Sequence, residues 1–328
     1  MAHLFSEQDF QHAAKIVYDF MTPTLQHVWP LLSQRTGCET WVKHENQTPT
    51  GAFKLRGGLV YMRIRKDSGA TGGIISATRG NHGQSLATAG SREGVPVTIV
   101  VPKGNSIEKN AAMRAQGAEL IEAGEDFDAA ASIARDLAIK RGLDMMPSFM
   151  RELVIGVSTY GRELFTAVRN AGEPLDLVYV PIGLGSGICS LITQRDLLGL
   201  KTKIIGVVST NANAYSLSFR AGQSVINSSA STFADGMAVR TPDAAALEII
   251  LKGTERIVEV SDDEIADATR AYYTDTHNLA EGAGAASLAA LLQEKDKVKG
   301  RRVGVILTGG NIDQNLFSSI LAGNTPSA

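Results

Sequence analysis

Four short segments hold side chains whose types and spacing could do chemistry. The first is PIGLGSGICS, residues 181–190, between the apolar run LDLVYV and the helical run SLITQRDLL. Glycines between a strand and a helix let backbone N–H groups close on an anion, and the helix dipole favours negative charge there. A nucleotide P-loop needs Gly-Lys-Ser/Thr, and this segment has no lysine. A dinucleotide fingerprint needs Gly-x-Gly-x-x-Gly and an acid about 20 residues on. Here the third glycine, Gly187, comes one position early, and the next strand ends Gly206, Val207, Val208, Ser209 without an acid. The spacing points to a single phosphate monoester rather than NAD or ATP. The ordinary alternative is a tight turn with no ligand.

The second segment, HENQTPTGAFKLRGG (residues 44–58), puts Lys54 where a polar turn gives way to a helical run. An ammonium is misplaced at the positive end of a helix dipole. The same field lowers its pKa, as a Schiff-base lysine requires. A solvated lysine is the commoner explanation for any isolated case. The third, SATRGNHGQS (76–85), packs Thr78, Asn81, His82 and Gln84 into one turn between a strand and a helix. Backbone N–H groups with hydroxyl, amide and imidazole donors suit a carboxylate; a capped helix start with a structural His82 is the alternative. The fourth, VILTGGNID (305–313), ends a strand on Thr308, and a hydroxyl at a strand's carboxyl end points into the crevice where α/β ligands bind. A plain strand-ending turn would look the same. Three segments follow strands and Lys54 opens a helix, so all four can converge on one crevice.

Their positions follow from an alternation of short β-branched runs with longer helical runs. Strands are expected at 41–43, 73–77, 95–101, 118–123, 177–182, 203–209, 256–260 and 303–307. Continuous apolar runs such as VTIVV and VGVIL fit strands buried on both faces. Helices are expected at 6–20, 80–94, 107–116, 127–140, 159–170, 242–251 and 262–274. The first opens on a capping-box pattern, Ser6 with Asp9, and shows Phe10, Ala13, Ala14 and Val17 on one face. Several helices end at glycines (Gly94, Gly117, Gly142, Gly172, Gly253) that can accept the left-handed conformation. Strand–helix repetition over the whole length implies an α/β fold with parallel sheets. The element count divides it into a small inserted domain, 51–149, carrying the lysine and Asn/His loops. The larger phosphate-binding domain is built from 1–50 and 150–328.

Composition narrows the class. Lys and Arg total 32 against 34 Asp and Glu, a net charge of −2, so the chain lacks the basic excess of a nucleic-acid coat. Hydrophobic residues at 44% and charged residues at 20% provide a core and exclude a disordered chain. Two cysteines, Cys38 and Cys189, make neither a disulfide framework nor a four-cysteine zinc site. The sequence shows no apolar leader and no membrane-length apolar run, so a reducing cytoplasm is expected. Glycine is in excess, 33 of 328 residues, against a usual share of about 7%, and much of it lies in the four segments.

Taken together, these segments resemble the fold type II pyridoxal-phosphate (PLP) enzymes, whose architecture is the tryptophan synthase beta-like one. They are most similar to the threonine/serine dehydratase and serine racemase group, over nearly the whole chain. TGAFKLRGG is similar to the family's Thr-Gly-Ser-Phe-Lys-x-Arg-Gly, with Ala52 for Ser, and implies the Schiff-base role for Lys54, with Phe53 beside the cofactor. RGNHGQ resembles Gly-Asn-His-Ala/Gly-Gln; Asn81 would bond the PLP 3-oxygen, and Thr78, Asn81 and His82 the substrate carboxylate. GLGSG (Gly183, Leu184, Gly185, Ser186, Gly187) stands for the tetraglycine phosphate loop. TGGN places Thr308 at the pyridine nitrogen, ADGMAV places Gly236 near the cofactor, and EGAGAAS places Glu281 near its ring.

The resemblance implies β-elimination. A neutral hydroxyl at the pyridine nitrogen leaves that nitrogen largely unprotonated, which suits prompt expulsion of a β-leaving group. Substrate amine would displace Lys54, whose free amine would take the α-proton. A 3-hydroxy amino acid such as L-threonine or L-serine would then yield a 2-oxo acid and ammonia. Three departures bear on this. Arg79 stands where relatives carry a small residue. This disfavours racemisation and leaves three roles open: binding a second carboxylate, as in hydroxyaspartate, pairing with Glu281, or pointing to solvent. Val208 and Ala214 stand where relatives with a divalent cation have acids, so no metal site is expected. Little chain follows the last strand, so no C-terminal regulatory domain is expected. Alternatives are an amino-acid racemase or β-replacement synthase of the same fold, or a non-catalytic phosphate-ligand sensor. Expected partners are a small amino-acid substrate and a second copy of the chain in a homo-oligomer, with neither nucleic acid nor membrane.

Overall fold

The computed structural model describes residues 4–327. The chain begins with α1 (Glu7–Tyr18), β1 (Gln26–Val28), α2 (Pro30–Thr36), β2 (Glu39–His44) and α3 (Lys54–Asp67). Next come β3 (Ile74–Ala77), α4 (Asn81–Glu93), β4 (Val97–Val101), α5 (Ile107–Ala115), β5 (Glu119–Glu122), α6 (Phe127–Arg141) and β6 (Asp144–Met145). The remainder is α7 (Arg151–Asn170), β7 (Leu177–Pro181), α8 (Ser186–Leu197), β8 (Lys203–Ser209), α9 (Ala214–Ala221), α10 (Ala244–Gly253), β9 (Arg256–Val260), α11 (Asp262–Thr276), α12 (Gly282–Gln293), β10 (Arg302–Leu307) and α13 (Gln314–Leu321).

Two sheets result. One has the order β5-β4-β3-β6 and is parallel throughout; the other has the order β1-β2-β10-β7-β8-β9. The larger sheet is parallel except at its edge, where β1 pairs antiparallel with β2, Gln26 opposite Lys43. An all-parallel reading is corrected there. β1 is a three-residue edge strand facing solvent, so it lacks the buried apolar run that marks the central strands. β4 and β7, by contrast, are buried at every position. β6, two exposed residues long, was equally invisible in the pattern.

Ser6 and Asp9 form the expected capping box, with Phe10, Ala13, Ala14 and Val17 buried. Gly94 and Gly142 end their helices in the left-handed conformation. Gly253 does not: it is the last residue of α10, and a Cβ there would meet Ile192 Cγ2 at 2.2 Å, so close packing selects it. α7 starts eight residues before the expected position, at Arg151.

The boundaries at 50 and 150 place all four strands of the small sheet in one unit. Even so, one hydrophobic core runs through both units. Ile74 and Ile99 of the small sheet belong to the same buried cluster as Val178 and Ile204 of the large one, joined by Leu55 and Leu59 of α3 and Val154 and Val157 of α7. α3, which begins at Lys54, packs against α4 and α7. The lysine helix is thus clamped between α4 and α7.

Candidate active site

The carboxyl ends of β3, β7 and β10 and the start of α3 open on a single cavity of about 660 Å³. Most residues singled out above line it: Phe53 and Lys54, the turn from Thr78 to His82 with Arg79, the loop Gly183 to Gly187, Gly236, Glu281 and Thr308; Gln84 is buried and does not line it. The convergence is built by backbone bonds. Phe53 N–H donates to the Thr308 carbonyl at 3.0 Å, Gly310 N–H to Gly51 at 2.9 Å, and Glu281 N–H to Gly309 at 3.1 Å. The lysine turn and the start of α12 are therefore stitched onto the end of β10.

Four helices, α3, α4, α8 and α12, start at this cavity with no side-chain cap on their first turn. Uncapped N–H groups and aligned dipoles make such starts anion sites. At α8 the turn is shaped for close approach. Gly185 has φ +106°, and a Cβ on Gly183 would lie 2.4 Å from the Gly236 carbonyl oxygen. Two buried tyrosines hold this loop from behind. Tyr160 donates to the Gly187 carbonyl at 3.0 Å and Tyr215 to the Leu184 carbonyl at 2.9 Å. The Tyr160 ring also packs edge-on against Phe53, centroids 6.1 Å apart.

Lys54 is half-buried and donates from Nζ to Ser186 Oγ, the first residue of α8, at 3.2 Å. Burial pushes its amine down to about 8. The expected cause was the dipole of its own helix; the cause found is loss of water around the ammonium. His82 is buried with Nε2 lacking a partner, and burial, helped by the charge of Lys54, pushes its imidazole down to about 3. It is a neutral imidazole at working pH.

Glu281 is buried and receives a hydrogen bond from Asn81 Nδ2 at 2.6 Å, while its Oε2 has no hydrogen-bond partner. Burial pushes its carboxyl up to about 7, opposed by the Lys109 ammonium 3.8 Å away. Lys109 itself is paired with Asp235 at 2.5 Å. Burial opposes its charge, and Asp235 and Glu281 more than offset that and raise its pKa. A pairing of Arg79 with Glu281 is not formed: Glu281 Oε1 takes the Asn81 bond, and the cation within 4 Å of Oε2 is Lys109. Arg79 is exposed on the cavity wall with no acidic partner within 4 Å among the described residues.

Sequence reasoning missed Lys109, Asp235, Asn311, Tyr160, Tyr215 and the ion pair between Arg240 and Asp128 on the cavity wall. Lys109 reads as an ordinary amphipathic-helix lysine. Asn311 and Asp235 lay inside the quoted TGGN and ADGMAV segments, so for them a signal existed. Val208 and Ala214 are buried apolar side chains. Among the described residues no group of three or more His, Cys, Asp or Glu is placed to hold a metal ion.

The residues fit a phosphorylated carbonyl cofactor. An amine of lowered pKa lies beside an uncapped helix start, in a cavity with room for a ring and two unpartnered buried polar atoms, His82 Nε2 and Glu281 Oε2. The profile of the family described as "Pyridoxal-phosphate dependent enzyme" matches residues 18–309. The chain belongs to that family. Its cofactor is pyridoxal phosphate and its fold the tryptophan synthase beta-like one.

Among curated relatives of this PLP enzyme, the L-threonine ammonia-lyase of Thermotoga maritima is 32% identical over 96% of the chain and 77% of its own length. The L-threo-3-hydroxyaspartate ammonia-lyase of a Pseudomonas species is 30% identical over 98% of the chain and 99% of its own length. Among solved structures, the processed form of threonine deaminase isoform 2 from Solanum lycopersicum superposes with a TM-score of 0.87 at 30% identity, covering 98% of this chain and 95% of its own.

Proposed function

We propose that this PLP enzyme eliminates water from a 3-hydroxy amino acid, and that the released enamine takes up water again to give a 2-oxo acid and ammonia, with L-threonine or L-serine as default substrates. The observation that carries the reading is Lys54, an amine of lowered pKa 3.2 Å from the first residue of α8, sharing one cavity with the Thr78–Asn81–His82 turn. When bound, the cofactor supplies the electron sink for charge developing at the substrate α-carbon. Lys54 holds the cofactor and, once released, takes the α-proton at Nζ. The start of α4, with Thr78, Asn81 and the neutral His82, receives the substrate carboxylate. The Gly183–Gly187 loop and the start of α8 would hold the cofactor phosphate, and the Thr308 hydroxyl would serve the ring nitrogen. Relatives named as ammonia-lyases support the reaction class.

A panel of 3-hydroxy amino acids scored for ammonia and 2-oxo acid tests this. Lys54→Ala should lower turnover by at least about a thousandfold and abolish the absorbance of lysine-bound cofactor. A purified enzyme that forms D-amino acid without ammonia would instead be a racemase.

A second reading, an acidic substrate such as 3-hydroxyaspartate, is favoured by Arg79. Lys109 and Arg240 on the same wall are paired with Asp235 and Asp128, whereas Arg79 is unpaired among the described residues. If Arg79 takes a second carboxylate, Arg79→Ala raises KM about tenfold or more for hydroxyaspartate and leaves threonine unchanged. Equal effects on both substrates would return the arginine to a solvated role.

The same reading includes a homo-oligomer. Leu25, Val28 and Leu31 at edge strand β1 and the start of α2 expose apolar surface for a second copy, and light scattering of the purified chain tests it. It also places the enzyme in the cytoplasm, in keeping with two buried free thiols, Cys38 and Cys189; cell fractionation tests that.

A further inference from the structure

Asn81 is held from outside the cavity by a side chain 230 residues away in sequence. Asn311 follows the Thr308–Gly309–Gly310 end of β10. Its Nδ2 donates one hydrogen to the Thr50 carbonyl at 2.8 Å and the other to Asn81 Oδ1 at 2.8 Å. Asn81 Nδ2 in turn donates to Glu281 Oε1 at 2.6 Å. The two ends of an asparagine amide are nearly identical in shape and opposite in hydrogen-bonding sense, so partners decide which end faces which way.

In such a chain the sense propagates from whichever end is fixed, and here the fixed end is backbone. The Thr50 carbonyl can only accept, so Asn311 must present its NH2. With both hydrogens given to acceptors, Asn311 requires an oxygen from Asn81. The Asn81 NH2 is therefore left on the opposite side, with one N–H on Glu281 and the other free. Inverting Asn81 would set its NH2 against that of Asn311, a repulsive contact, and its oxygen against the Glu281 oxygen whenever that carboxyl is ionised. The seat of Asn311 is itself built in: Gly51 has φ +70°, and a Cβ there would lie 2.6 Å from Asn311 Oδ1.

We infer that Asn311 is a positioning residue that sets the sense of the Asn81 amide, so that Asn81 offers the cofactor an N–H and not its carbonyl. An N–H at that place stabilises an ionised ring oxygen and disfavours a hydroxyl, which would need an acceptor. The inference rests on Asn81 meeting the ring oxygen, and the experiment separates the two.

The holoenzyme is read by absorbance, because the lysine-bound cofactor with an ionised ring oxygen absorbs at longer wavelength than the form protonated there. Asn311→Asp keeps the size of the side chain and has no hydrogen for Thr50 or Asn81. The expected result is a fall of about twofold or more in the share of the long-wavelength band. The Kd of apoenzyme for pyridoxal phosphate should rise about tenfold, the loss of one hydrogen bond to a charged oxygen. Asn81→Ala combined with Asn311→Asp should be no worse than Asn81→Ala alone, because Asn311 acts through Asn81. An unchanged band ratio with Kd within about twofold of the parent, or additive losses in the double variant, would overturn the inference. If Asn311→Asp shows no cooperative thermal transition, Asn311→Ala removes the donor without adding charge and is judged by the same outcomes. If Asn81→Ala moves neither readout, the placement of Asn81 at the cofactor falls too. Failure confined to the Asn311 variants sinks this inference alone.

Discussion

Burial sets the charge states on which the chemistry of Lys54 and Glu281 depends. With its amine pushed down to about 8, Lys54 is mostly neutral above that pH, where an ordinary lysine stays charged to about 10.5. Only the neutral amine can attack the cofactor carbonyl. Recombination of apoenzyme with pyridoxal phosphate should therefore accelerate about tenfold per pH unit up to pH 8 and then level off. Stopped-flow absorbance checks this; a rate still climbing steeply at pH 9.5 would show an unshifted amine. Glu281 shifts the other way, up to about 7. The folded state holds that proton more tightly than the unfolded chain, so the carboxyl's contribution to stability is complete below about pH 4.5 and is lost as pH rises through 7. Lys109 and Asp235, the charged groups facing it, stay in place in Glu281→Gln. That variant should raise the apoenzyme Tm relative to the parent more at pH 8 than at pH 5, by thermal unfolding at both.

At the scale of elements, the cavity depends on how closely α3 and α7 approach. Gly156 of α7 faces α3, and a Cβ there would meet the Arg56 carbonyl oxygen at 2.3 Å and Gly57 Cα at 2.9 Å. Both atoms are backbone and cannot swing away. Gly156→Ala should push the lysine helix off α7 and cost about 1–3 kcal/mol, a fall of several degrees in Tm, with weaker cofactor binding. The elements that place the chemistry were legible in the sequence. β3, β7 and β10 are mostly apolar runs followed within two residues by a glycine or hydroxyl residue, and their ends fall within a residue or two of the expected positions. α2, α9, α12 and α13 were not marked as helices. α12 is an alanine-rich segment buried all round, so it lacks the one-sided apolar stripe by which a surface helix is recognised.

Across the whole molecule, the two halves are locked together behind the lysine helix by a buried ion cluster. Arg56 pairs with Glu45 at 2.7 Å and with Glu163 at 2.6 Å, and Lys43 pairs with Glu163 at 2.5 Å. Arg56, Glu45 and Lys43 are fully buried, so each charge depends on its partners for the solvation it has lost. Arg56→Met leaves two carboxylates short of positive charge and should cost about 3–5 kcal/mol. Adding Glu45→Gln should recover part of that loss rather than deepen it, a non-additivity that a denaturation cycle reads directly. Independent additive losses would show that the cluster does not act as a unit.

The sequence by itself determined the α/β alternation, the glycine turns after β3, β7 and β10, and the lysine at a helix start. These are local properties: apolar runs, turn chemistry and helix ends are written in residues a few positions apart. Tertiary structure alone decided which polar groups meet. Lys109 reaches Asp235 across 126 residues and Asn81 reaches Glu281 across 200. Arg79 is left without an acidic partner within 4 Å among the described residues, while Glu281 meets Asn81 and Lys109. The cause of the shift at Lys54 was likewise invisible along the chain. Burial depends on what packs around a residue, and partners that distant are chosen only when the sheets and the helices between them close on a common core.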